Sequence, residues 1–172
     1  MSAIDSILME LEQEGATTAR VLERVPEQHL AWKPHEKSMS LGQLAMHIAG
    51  TPGEIADMAA VEAYQIDPAA LAGPPQAGSS AEIMKAHAAS MAHAKQYLSG
   101  LNPEQLGGTC RLMMGPTQLM AMPRGVLIRA IMLNHWIHHR GQLSVYLRLL
   151  NVPVPSIYGP SADENPFGGP AR

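Results

Sequence analysis

A single cysteine among 172 residues excludes an internal disulfide framework. Aromatic side chains are also scarce, with one Phe, two Trp and four Tyr against 12 Met. β-Sandwiches draw on aromatic and β-branched residues, so this balance predicts helices packed through small and flexible side chains. Charged residues make up only 16% of the chain, against about 25% in an average protein. The net charge is −3 with His neutral, and the acidic residues are scattered. No basic stripe exists to displace counterions, which argues against nucleic acid as a partner. No apolar run approaches the roughly 20 residues of a membrane span. The opening MSAIDSILMELEQEG lacks the basic and small-residue signals of a secretory leader, so a cytoplasmic setting is expected. With 46% apolar residues the chain is not disordered, and its length suits one domain over residues 1–172.

Four segments carry helical periodicity between Pro- and Gly-rich breaks. The first covers residues 2–24, with Ser2 and Asp5 as a capping box and Ile4, Leu8, Leu11 and Ala19 as its apolar stripe. The second begins at Ser40 and places Leu41, Leu44, Ala45 and Ile48 toward a core. Pro52 either kinks it or restarts it behind a Thr51 cap; the pattern resumes at Ile55 and Met58 with little phase loss, which favours the kink. Ser79 or Ser80 caps a third helix reaching about Leu98. Residues 100–122 are the least helical, with a short irregular hairpin as one option. Pro123 fits the first position of a final helix ending near Leu150, with Asn151 as a left-handed cap. These segments predict an all-α four-helix bundle with long connections and an irregular tail over residues 152–172.

The eight histidines are the chemical resource of the chain. His135 and His139 lie four apart on the last helix, about 40° apart around its axis, where two imidazoles can ligate one ion. Ile128, Ile131, Gln142 and Tyr146 share their stripe, which predicts that the pair faces inward. His138 is the weaker second ligand, because helix phase is not fixed to within one residue. His47 on the second helix is the candidate third donor, with Ala49 and Gly50 leaving room for a facing helix. Spacing alone leaves a hydrogen-bonded pair of core histidines as the alternative. His29, His35, His87 and His93 are assigned to the surface or to local hydrogen bonds. Trp136 stands where a zinc-protease helix carries its general-base Glu, which discounts a peptidase.

LGQLAMHIAG around His47, the run NHWIHHRGQLSVYLRLL and the closing VPSIYGPSADE resemble the DinB-like superfamily of four-helix proteins. The resemblance covers most of the chain, and helices two and four with the tail carry nearly all of it. It implies one divalent metal per subunit held by His47, His135 and His139, and a homodimer. Some members resemble S-transferases and isomerases that use low-molecular-weight thiols, and many have no established reaction.

The expected function is therefore a zinc- or nickel-dependent thiol transferase or isomerase acting on a small electrophilic substrate. The alternatives are a metal-dependent hydrolase and a non-catalytic, stress-associated metal-binding scaffold. His138, Gln142, Tyr146 and Glu54 are candidates for the surroundings of the metal or for the pocket. Glu54 lies two turns beyond His47, with helix capping as the plainer role. Arg140 is expected in a salt bridge or interface, and Gly141 at a close helix approach, within the bundle or across a dimer. Cys110 reads as incidental, and Met113, Met114, Met120 and Met122 as core filling, with an adaptable pocket as the second option.

Overall fold

The computed structural model describes residues 2–168; residues 169–172 of the expected tail lie outside them. Helix α1 (Ala3–Leu22) starts at the expected capping box, Ser2 and Asp5 bonding each other's main-chain N–H. Helix α2 (Leu41–Ala60) has Ser40 as N-cap with Gln43 closing a second box. Helix α3 (Ser80–Ser99) is capped by Ser79. The final helical run comprises α5 (Arg124–Leu127), a π-helical stretch (Ile128–His135) and α6 (Trp136–Leu149). Asn151 takes the left-handed conformation that ends it, with φ 56°.

The structure corrects an all-α reading. A three-stranded sheet is present, with β1 (Ala63–Gln65) parallel to β2 (Thr109–Met114) and β2 antiparallel to β3 (Thr117–Pro123). A short helix α4 (Pro103–Gly107) precedes β2, and Gly115, with φ 55°, supplies the turn between β2 and β3. The least helical segment is thus an ordered hairpin, and Pro123 closes β3 instead of opening the helix. Residues 152–168 form no helix or strand, as expected of the tail.

Helix α2 runs through Pro52 without breaking. A proline removes one N–H from the ladder and crowds the carbonyl four residues back. Neighbouring groups compensate. The Trp136 indole donates to the Ile48 carbonyl at 2.8 Å, and Thr51 Oγ1 donates to the His47 carbonyl at 2.6 Å. Ser90 of α3 accepts from Gly53 N–H and donates to the Gly50 carbonyl. A Cβ at Gly53 would sit 3.1 Å from Ser90 Cα, so this glycine permits the close α2–α3 approach. Within this chain no helix approaches Gly141 closely, and a Cβ there faces open space.

One core joins the long helices, with Leu11, Leu44, Ile48, Ile83, Met132, Leu143 and Leu147 buried in it. Inside it Arg140 pairs with Glu14 at 2.6 Å, and also donates to Thr18 and to the hydroxyl of Tyr158 from the tail. The expected salt bridge of Arg140 is therefore fully buried. Of the two roles expected for His87, surface or hydrogen-bonded, the structure gives the second: it is buried, with Nε2 on the Gly15 carbonyl at 3.2 Å. No helix among the described residues is long and apolar enough to cross a membrane.

Candidate metal centre

Helix α2 brings His47, and the end of the π-helical stretch brings His135, to a common point with His139 of α6. His135 Nε2 lies 3.1 Å from His47 Nε2 and 3.1 Å from His139 Nε2. The three rings stand nearly perpendicular to one another, with centroids 4.3–5.3 Å apart. This tests the donor set directly. A tetrahedral ion held at about 2.0–2.1 Å keeps its nitrogens about 3.3–3.4 Å apart, close to what is seen. Among the described residues, these three histidines form the group that could hold a metal ion.

The protonation states suit that role. Burial, reinforced by His139 and His135, brings His47 down to about 4. Burial likewise lowers His135, with His138 adding to it, and lowers His139 against the opposing effect of Gln142. All three imidazoles are neutral at pH 7, the form that ligates. Gln142 Oε1 lies 2.7 Å from His139 Nδ1 and accepts a hydrogen bond from its N–H, which leaves the Nε2 lone pair facing inward. Such an outer contact fixes both tautomer and ring orientation.

The other candidates divide. His138 is exposed and stacks edgewise on His139 with centroids 5.1 Å apart, outside the convergent set. Tyr146 turns away, donating to the Met39 carbonyl at 3.3 Å and packing edge-on against Trp32. Glu54 lines the cleft beside the triad, and burial with nearby Asp57 raises its carboxyl above the ordinary range. Its capping role is not seen, since α2 continues through Pro52.

That cleft, of about 240 Å³, is bounded by His47, Thr51, Glu54, Ile55 and Met58 of α2 and by Leu127, Ile131 and His135. Leu112 and Met120 of the hairpin complete it. Met120 therefore belongs to the pocket, not to the core. Sequence reading missed Leu112 and Thr51; the hairpin that carries Leu112 has only weak apolar alternation, so no signal marked it. In a cleft of about 430 Å³ by Tyr97, Gln105 and Arg124, the Tyr97 and Arg124 side chains are committed to main-chain carbonyls. Tyr97 and Arg124 both donate to Ala59, and Arg124 also to Gln105. Cys110 is buried in β2, with its thiol on the Met122 carbonyl, and is raised chiefly by burial. It takes no part in the triad.

A mostly helical fold with a small sheet and an inward cluster of three histidines defines a class of helical proteins able to hold a metal ion. The chain belongs to the DinB family, whose model matches residues 1–166. The fold is similar to that of a DinB-like protein from Bacillus cereus, with TM-score 0.72 and 20% identity over 90% of this chain and 97% of that one. It is similar also to the DinB-like protein YjoA of Bacillus subtilis, with TM-score 0.68 and 20% identity over 88% and 96% of the two chains. An uncharacterized Bacillus subtilis protein, YrdA, is 44% identical over 43 residues, a quarter of each chain.

Proposed function

We propose that this chain is a metal-dependent enzyme that joins a low-molecular-weight thiol to a small electrophile, as a transferase or isomerase. The observation that carries this reading is the convergence of three neutral imidazole Nε2 atoms beside an apolar cleft. Three protein ligands leave a fourth position open, the pattern of catalytic rather than structural sites. One divalent ion, zinc or nickel, suits the imidazoles equally well. When bound, it would supply the positive charge that favours thiolate over thiol.

The chain's own residues do the rest. Gln142 holds His139 in its ligating tautomer. Glu54, raised by burial, takes the proton that the thiol gives up and can return it to product. Ile55, Met58, Leu112 and Ile131 keep water from the reacting atoms. The long helices, read as a four-helix bundle, are the rigid support, and we read the assembly as a homodimer. The test is turnover by metal-loaded protein with a panel of thiols and electrophiles. A lack of activity across the panel would leave the hydrolase and scaffold readings.

Glu54 also favours a second reading, metal-assisted hydrolysis, in which it would accept a proton from water. Product formation without added thiol separates the two.

A further inference from the structure

We propose that the cleft beside the triad is a subsite for a small uncharged ring or short apolar chain, roofed by Leu112 and Met120. The inference rests on the metal-centre reading in one respect, which is that the reacting end of the ligand points toward the histidines.

Four elements and the π-helical stretch build the site. Helix α2 contributes Ile55 and Met58, α5 contributes Leu127, and the π-helical stretch contributes Ile131. The roof comes from the hairpin, where Leu112 and Met120 are direct partners across β2 and β3. Opposed residues in an antiparallel pair project from the same face of the sheet, so the two side chains act together. The register shifts immediately afterwards, between Leu112 and Met113, a distortion of the kind that re-aims side chains beside functional sites.

Size and charge then narrow the ligand. An apolar cavity of about 150 Å³ holds benzene. At about 240 Å³, this cleft has room for a monocyclic body with a small substituent. Among the described residues, Glu54 is the one acidic or basic side chain besides the histidines in its lining, and it opposes a second negative charge. A carboxylate on the ligand would also lose its hydration among apolar walls. His47 and His135, with Nε2 atoms 3.1 Å apart, and Thr51, one turn from His47 and bonded to its carbonyl, bring polar atoms to the triad side of the lining. The ligand is thus an apolar body with its polar atom at the histidine end. Methionine in the roof accommodates varied shapes, and Met120 is 40% exposed, on the side facing solvent.

The experiment follows methyl resonances of Met58, Met120, Ile55 and Ile131 in the full chain, zinc-free and zinc-loaded. Toluene and benzoate are the probes. Toluene is expected to shift these methyls, and benzoate in the zinc-free protein to do so about tenfold less at equal concentration. Met120→Trp should abolish the toluene shifts while zinc per chain stays as in the wild type. Met120→Ala, which avoids overpacking, should admit naphthalene. Equal shifts from benzoate, or toluene shifts that persist in Met120→Trp, overturn the proposal. Toluene shifts in a protein that binds no zinc support the subsite and count against the metal reading, so the two fail separately.

Discussion

The indole N–H of Trp136 donates to the carbonyl of Ile48, joining the two histidine-bearing helices one residue beyond His135 and one residue beyond His47. Pro52 makes that carbonyl available, because it has no N–H with which to continue the helical ladder. A residue type that disqualifies a peptidase at position 136 is therefore what sets the spacing between ligands here.

Trp136→Phe keeps a buried ring and deletes the donor. The orphaned Ile48 carbonyl should cost about 1–3 kcal/mol, read from urea unfolding. Zinc affinity should fall in parallel, because His47 and His135 lose their common brace. Unchanged stability would show that another donor, such as water, reaches Ile48.

His47→Ala and His139→Ala should each reduce bound zinc or nickel from one ion per chain toward none by elemental analysis. Gln142→Leu leaves all three imidazoles and removes only the partner of His139 Nδ1. A loss of about 10–100-fold in metal affinity is expected from such a contact. His138→Ala should leave the ion in place.

Acid should weaken the metal-free protein through its buried, neutral histidines. His47 titrates near 4 when folded and near 6.5 when unfolded, so the unfolded chain binds more protons between those values. The stability associated with neutral His47 is complete above about pH 6.5 and is lost as pH falls toward 4. His135 and His139 shift the same way. Urea midpoints at pH 7.5, 5.5 and 4.5 should fall in that order, and His47→Phe should flatten the series. A level profile in the wild type would contradict the burial of the triad.

Arg140→Met leaves the Glu14 carboxylate buried without its partner, at an expected cost of about 3–5 kcal/mol. Replacing both, as Glu14→Leu with Arg140→Met, should recover much of that loss. Tyr158→Phe should cost about 1 kcal/mol and make the tail more susceptible to limited proteolysis. Thermal melts of the four proteins check the ordering.

Much of this was legible in the chain. Ser2, Ser40 and Ser79 announced three helix starts because capping is a local interaction between neighbours in sequence. His135 and His139 were readable as a pair for the same reason. Their meeting with His47 could be anticipated only as a candidate, since 88 residues separate His47 from His135. The hairpin was obscured because TCRLMM and TQLMAMP lack a clear polar–apolar alternation, and β3 is largely exposed. The π-helical stretch has no sequence signature of its own, and the contact of Tyr146 with Trp32 joins segments far apart in the chain. Arg140 was recognisable as half of a salt bridge, but Glu14 lies on another helix and no local pattern names it.

The parallel pairing of β1 with β2 bears on how fast the cleft can be filled. Main-chain bonds from Arg111 to Glu62 and from Ile66 to Met113, each 2.8 Å, frame that pairing, and β1 follows α2 directly. Swinging the hairpin off the cleft requires breaking this ladder, which belongs with slow, microsecond or longer, openings. Rotation of the Met120 side chain requires none of that and belongs to the picosecond-to-nanosecond range. For the ligand proposed above, turning one thioether is thus a far quicker way to widen the cleft than moving the sheet.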